Sequence, residues 1–214
     1  MKLFDYGPSA NCYKVRLLLA NLGRRYERVP TDIFGGDTLT DAYGAKNPAR
    51  TTPVLETDDG RFLPESAAIL MYLAAGTPLL PEDPFLRAEV VRWLVYEQTE
   101  VIPPIGGLRF RLQTGRLQPE DADAVARREA GEAVLDALEA KFGVDDYLVG
   151  SGYSVADIAV FGYVHVADEA GYALDRCPAV NAWLSRVRSQ PGYVNDLEPY
   201  PANAAAGAGH SLYD

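Results

Sequence analysis

At 214 residues with 48% apolar side chains, the chain can bury one large or two small cores, and no low-complexity run interrupts it until its end. Its 30 acidic residues outnumber the 20 basic ones, and a formal net charge of −10 argues against the basic face that nucleic-acid binding needs. No apolar run reaches membrane-spanning length, and M-K-L-F-D-Y lacks the apolar core and cleavage site of a signal peptide. Cys12 and Cys177, the only cysteines, make no disulfide framework, so a reducing cytoplasm is expected. With His165 and His210 as the only histidines, a histidine-based metal centre is not expected. Arg24, Arg25 and Arg28 form the one dense basic cluster and read as a solvated edge.

In chain order, Lys2-Leu3-Phe4-Asp5-Tyr6 predicts a first strand, closed by Gly7-Pro8. From Asn11 a helix follows, with Val15, Leu18, Leu19 and Leu22 on one face and Gly23 as its stop. Tyr26-Glu27-Arg28-Val29 predicts the second strand, Thr38 to Ala45 a short helix, and Asn47-Pro48 a break. The stretch from Arg50 to Leu73 carries the most information. Val54-Leu55-Glu56 and Arg61-Phe62-Leu63 predict a hairpin, its Asp-Gly turn using glycine's tolerance of the positive φ that a type I′ turn demands. Pro53 stands just before the first of these strands, where its missing N–H takes nothing from the ladder. Ser66 falls in the first turn of the next helix, whose free N–H groups and positive dipole end attract an anion. A simple cap is the plainer role for such a serine. The order β-α-β-α-β-β-α implies a mixed four-stranded sheet with helices packed on it, an order that thioredoxin-like and other α/β folds share.

Three prolines between Gly76 and Pro84 mark a boundary, giving a first domain at 1–76, a linker at 77–84 and a second domain at 85–214. Beyond the boundary the strand signal vanishes, and the second domain reads as all-α. Phe85 to Gln113 predicts a long helix, kinked or divided at Pro103-Pro104 and Gly106-Gly107. Pro119 to Phe142 is amphipathic, with Val125, Val134, Leu135 and Leu138 facing inward. Ser154 and Asp157 have capping-box spacing at the head of another helix. Pro178 to Val187 completes the set. The tail, with Pro199, Pro201 and A-N-A-A-A-G-A-G, is poor in core-forming residues and is expected to be partly mobile.

T-P-V-L, the D-G hairpin and E-S-x-A-I-x-x-Y-L, followed much later by S-x-x-D, resemble the soluble glutathione S-transferase family in a bacterial-like form with a serine-type loop. The resemblance runs from Met1 to about Gln190 and implies a thioredoxin-like α/β domain followed by an all-α domain. It implies a cis Pro53, with Thr52 offering its backbone to the cysteinyl part of glutathione, and Glu65 and Ser66 holding the γ-glutamyl end. Arg50 and Lys46 are candidates for the glycyl carboxylate; Arg50 stands where many members carry Gly, and Thr52 where Val is usual. By analogy Tyr96, Pro104, Leu108 and Phe110 lie near the electrophile, although aromatic residues at helical spacing are more often core than pocket. Glutathione as co-substrate, no metal, a small hydrophobic electrophile, a homodimer, and neither nucleic acid nor membrane as partner complete what is implied.

The chemistry then falls to the loop Y-G-P-S-A-N-C-Y-K-V-R. Glutathione reacts as its thiolate, and a thiol of pKa about 8.5 must be acidified by a donor aimed at sulfur. Ser9, seven positions before Arg16, occupies the place of the donor serine in similar loops; its plainer role is a helix cap. Tyr6, Asn11 and Cys12 are its rivals. Ser9-x-x-Cys12 has serine where thiol–disulfide relatives carry their first, nucleophilic cysteine, which disfavours a dithiol cycle and makes Cys12 chiefly a helix-face residue. The expected reaction is attack of the glutathione thiolate on an electrophile. The alternatives are glutathione-dependent isomerisation, dehalogenation or disulfide reduction, and a non-catalytic interaction module of the same fold.

Overall fold

The computed structural model describes residues 1–150 and 152–213. They fall into two compact units: Met1–Leu73 together with the chain from Val194 onward, and Ala74–Tyr193.

In the first unit the strands are β1 (Lys2–Asp5), β2 (Glu27–Pro30), β3 (Val54–Glu56) and β4 (Phe62–Pro64), in the sheet order β2-β1-β3-β4. β1 pairs parallel with β2 and antiparallel with β3, and β3 pairs antiparallel with β4. That is the mixed four-stranded sheet the sequence implied. Leu3 and Leu55 face each other across β1 and β3 and are fully buried. The hairpin turn is not type I′. Among its residues only Gly60 takes a positive φ (80°), and its N–H donates to the Thr57 carbonyl, which is the longer loop closed by a left-handed glycine.

Helix α1 (Ala10–Asn21) was expected to bury one face, but every residue from Cys12 to Leu19 is buried. The cause is the C-terminal segment. Tyr13 donates its hydroxyl to the Val194 carbonyl at 2.8 Å, and Arg16 reaches the Asp196 carboxylate at 3.0 Å and its carbonyl at 3.1 Å. Arg16 is 1% exposed and also donates to Asp5 at 2.6 Å. A buried guanidinium must be paired, and the tail supplies part of the pairing. Arg28 lies on the edge strand β2 and is exposed, as expected of a solvated edge, and it also bridges Asp5 and Glu198. The tail therefore belongs with the first unit, not with the helical domain where the sequence placed it, and fixed partners hold it there. The short helix expected at Thr38–Ala45 is two pieces, a 3₁₀ turn at Asp37–Leu39 and α2 (Asp41–Gly44) capped by Thr40. Helix α3 (Ser66–Ala74) closes the unit.

The second unit is all-helical: α4 (Pro84–Tyr96), α5 (Gly107–Gln113), α6 (Ala122–Phe142), α7 (Val155–Val164) and α8 (Pro178–Arg188). The long helix expected at Phe85–Gln113 runs through, but its middle, Glu97–Gly106, is a π-helix containing Pro103 and Pro104. A wider turn is one way to carry residues that lack the N–H of an α-helical ladder. In α6, Val134, Leu135 and Leu138 are buried as expected, whereas Val125 is 40% exposed. Among the described residues, no helix is long and apolar enough to cross a membrane.

Gly131, in the middle of α6, looks like a weak point that alanine would repair by about 1 kcal/mol of helix propensity. A methyl group there would come within 2.1 Å of the Tyr172 hydroxyl, which bonds the Pro104 carbonyl at 3.0 Å and the Arg127 carbonyl at 3.1 Å. Gly131→Ala is therefore expected to destabilise the unit by about 1–3 kcal/mol, as overpacking does. A raised urea midpoint in this variant would refute the packing argument.

Candidate active site

The β1–α1 loop is built by α1's own cap. Ser9 is the N-cap, its Oγ accepting from the Cys12 N–H at 3.4 Å while its N–H donates to the Tyr6 carbonyl at 3.0 Å. Accepting with its oxygen leaves the Ser9 hydroxyl hydrogen for another acceptor. Asn11 follows in the first turn and is partly exposed.

The second half of the site comes from either side of the hairpin. The Thr52–Pro53 peptide is cis, as the resemblance implied. Among the described residues, the Thr52 main-chain N–H and C=O meet no hydrogen-bond partner. The corner is held from behind: the Thr51 carbonyl accepts from the Tyr43 hydroxyl at 2.8 Å and from the Asn47 side-chain amide at 2.9 Å. Sequence reasoning took Asn47-Pro48 only as a break and missed both supports. Glu65 has φ 71°, a left-handed conformation unusual for a residue with a Cβ, and it turns the chain from β4 into α3. Ser66, 3% exposed at the start of α3, donates its hydroxyl to Asn11 Oδ1 at 3.0 Å. That bond joins two loops separated by 55 residues of sequence.

Cys12 lies beneath this surface. It is fully buried, and its sulfur accepts the Tyr6 N–H at 3.4 Å. Burial, with the charge of Asp5, pushes its thiol up to about 12. The group is a neutral thiol with no surface, so the structure removes the accessible thiolate that a catalytic Cys12 would need. Tyr6 is 5% exposed, and burial raises its phenol well above the ordinary range.

Ser9, bonded by the Cys12 N–H, and Asn11, bonded by the Ser66 hydroxyl, form one connected group at the start of α1. Arg50 and Lys46 are engaged elsewhere. Arg50 donates to the Thr38 carbonyl at 3.0 Å and the Thr40 carbonyl at 2.8 Å. Lys46 donates to the Ala42 carbonyl at 2.9 Å and lies over the Phe4 and Phe62 rings. In the helical unit Leu108 is fully buried, and Pro104 is buried with its carbonyl holding Tyr172. Tyr96, beside Trp93, and Phe110, beneath the Arg116 guanidinium, keep partial exposure. Among the described residues, no group of three or more His, Cys, Asp or Glu side chains is placed to hold a metal ion.

A mixed four-stranded sheet with a cis-proline corner facing a helix start, joined in one chain to an all-helical unit, defines the thioredoxin-like, two-domain class of glutathione-binding folds. The family model for the glutathione S-transferase N-terminal domain matches residues 3–79, and that for the C-terminal domain matches residues 92–191. The chain belongs to the glutathione S-transferase family, an enzyme family. A glutathione S-transferase from Pseudomonas fluorescens superposes with a TM-score of 0.88 at 43% identity, over 92% of this chain and 98% of that one. Among curated relatives, the maleylacetoacetate isomerase of Pseudomonas aeruginosa is 30% identical over 95% of this chain and 97% of its own length. Glutathione S-transferase F13 of Arabidopsis thaliana is 32% identical over 91% and 93%.

Proposed function

We propose that the protein binds glutathione on its first unit, stabilises the thiolate with the Ser9 hydroxyl, and directs it at a small hydrophobic electrophile. The observation that carries this reading is the Ser66–Asn11 hydrogen bond, which sets a buried serine at a helix start against the loop bearing Ser9. The partners are assigned as follows: Ser66, Glu65 and the first N–H groups of α3 receive the γ-glutamyl end, and the Thr52 main chain receives the cysteinyl part. Asn11 is a second donor toward sulfur. The thiol proton leaves to water, the thiolate forms the new carbon–sulfur bond, and the electrophile either expels its leaving group or takes up a proton.

A second reading rests on the maleylacetoacetate isomerase relative, whose similarity spans nearly both chains. In glutathione-dependent isomerisation the thiolate adds and is later expelled, so the same Ser9 and Ser66 roles serve it. Disulfide reduction is disfavoured by the burial of Cys12. A homodimer is supported by Phe85, Val91 and Val95 of α4, which are 72%, 44% and 55% exposed. Two free thiols at Cys12 and Cys177 fit the cytoplasm.

The test is a pH titration of thiolate absorbance with glutathione bound. The wild type is expected to bring the thiol well below its solution value of about 8.5, and Ser9→Ala to return it by about 1 unit or more while still binding. An unchanged thiol in the wild-type complex would overturn the conjugation and isomerisation readings together. An unchanged shift in Ser9→Ala would move the donor role to Asn11.

A further inference from the structure

Past the ion pairs of Asp196 and Glu198, the C-terminal segment is fastened to the turn that follows β2. The Asn203 amide donates to Asp32 Oδ2 at 2.8 Å, and the His210 N–H donates to the Phe34 carbonyl at 2.8 Å. Asp32 Oδ1 accepts the Phe34 and Gly35 N–H groups at 3.0 and 2.9 Å, so one carboxylate shapes the turn and holds the tail. The approach is close. A Cβ at Gly209 would come within 2.6 Å of the Asn203 carbonyl oxygen and 3.1 Å of Phe34. One at Gly36 would meet the His210 ring at 3.1 Å, so both contact points require glycine.

What this strap delivers is an aromatic ring. Phe34, 2% exposed, meets the Tyr6 ring edge-on at 5.9 Å between centroids and the Tyr213 ring at 6.1 Å. The Tyr6 carbonyl accepts the Ser9 N–H, so two ring contacts join Tyr213 to the loop that bears Ser9. Burial raises the Tyr213 phenol above its ordinary value, and the nearness of Cys12 adds to it. Cys12 in turn gives its N–H to Ser9 Oγ. Unlike Tyr6 and Phe34, the end of the strap keeps surface that a ligand can touch: Tyr213 is 52% exposed and Leu212 53%. A chain end held by paired side chains thus presents two large apolar groups, half-exposed, beside the loop proposed to face sulfur.

We propose that Tyr213 is a specificity-determining residue, whose ring, with Leu212, is the wall on which an aromatic electrophile packs beside bound glutathione. The inference rests on the glutathione reading above and deepens it, by naming aromatic compounds over small aliphatic ones as the substrate class. An aromatic group gains an offset or edge-on contact with the phenol ring and covers apolar surface that is otherwise wet. A methyl-sized group covers little of it. The ring is the recognition element, so the Tyr213 hydroxyl is dispensable.

The test is isothermal titration of the full chain with glutathione, S-methylglutathione and S-(2,4-dinitrophenyl)glutathione. The wild type is expected to bind the dinitrophenyl conjugate more tightly than the methyl one. Tyr213→Ala should weaken the dinitrophenyl conjugate by about fivefold or more, while glutathione and S-methylglutathione stay within about twofold. Tyr213→Phe should bind all three as the wild type does. A tail that only props the fold would weaken the three ligands together in Tyr213→Ala, and that result would overturn the proposal. Wild-type affinity for the dinitrophenyl conjugate in Tyr213→Ala would overturn it too, as would a loss in Tyr213→Phe equal to that in Tyr213→Ala. A wild type that binds none of the three would instead sink the glutathione reading, and this inference with it.

Discussion

Asp157→Ala is expected to destabilise the helical unit by about 3–5 kcal/mol, the largest effect of any single substitution considered. Asp157 is fully buried and receives four donors: the Leu148 N–H and Trp183 Nε1 on Oδ1, each at 3.0 Å, and the Ser154 N–H and hydroxyl on Oδ2, at 3.0 and 3.2 Å. One carboxylate thus caps α7, ties down the preceding loop and locks α8 through its tryptophan. Alanine leaves two backbone N–H groups and an indole N–H buried without acceptors, and each such group costs about 1–3 kcal/mol. Asp157→Asn should cost less, since its carbonyl can still accept from Leu148 and Trp183, and only the Ser154 N–H, facing the amide NH₂ donor to donor, is left without an acceptor. Both tryptophans, Trp93 and Trp183, lie in Ala74–Tyr193, so the urea midpoint of intrinsic fluorescence reads this unit. A loss below about 1 kcal/mol for Asp157→Ala would show that the box is decorative. Burial outweighs the four donors and raises the carboxyl to about 6. The native state therefore binds this proton more readily than the unfolded chain, so the contribution of Asp157 ionisation to stability falls as pH rises from about 4 to about 6. Mild acid is not expected to release the helix through this group.

The capping box was legible because its signal is local, two side chains three residues apart ahead of an apolar run. So were the strands, the hairpin and the helix starting at Ser66, all set by alternation and by punctuation at Gly60, Pro53 and Pro64. Features that depend on distant partners were not. Nothing around Val194–Glu198 announces that Asp196 and Glu198 neutralise Arg16 and Arg28, because the demand for those charges arises about 170–180 residues earlier and only after Arg16 is buried. The same holds for Arg50 and Lys46: both were read by charge as anion receptors, whereas their hydrogen bonds go to carbonyls of the α2 region. Cys12 was visible as a residue type, but its burial came from packing against both the sheet and its own loop. Asn47 and Tyr43 could have been suspected from one clue, that a carbonyl turned inward at a chain corner, as at Thr51, needs donors from nearby chain.

Ser66→Ala is expected to weaken glutathione binding by about tenfold to one hundredfold, the cost of removing a hydrogen bond to a charged group. Two features make this serine more than a cap. Its neighbour Glu65 is held at φ 71°, so the backbone entering α3 is set by the fold and cannot slide to compensate. Its hydroxyl also faces Asn11 Oδ1 at 3.0 Å, so a γ-glutamyl carboxylate arriving at the helix start either competes for that hydrogen or shares the oxygen as part of one network. The two cases give different results in a double-mutant cycle with Asn11→Ala. If the carboxylate replaces Asn11 as acceptor, Asn11→Ala alone tightens binding, because it removes a bond that must break in the complex, and that gain disappears in the Ser66→Ala background. If Asn11 stays bonded and orients the hydroxyl, the pair couples by about 0.5–3 kcal/mol, the range for residues in one network, and Asn11→Ala alone also raises the dissociation constant. Wild-type affinity in Ser66→Ala would remove the helix start from the site altogether, and the glutathione assignment would then rest on Thr52 alone. The geometry favours the orienting role, in which Asn11→Ala weakens binding, since Asn11 shares the first turn of α1 with the N-cap Ser9 and any shift of its amide is felt at the residue proposed to face the sulfur.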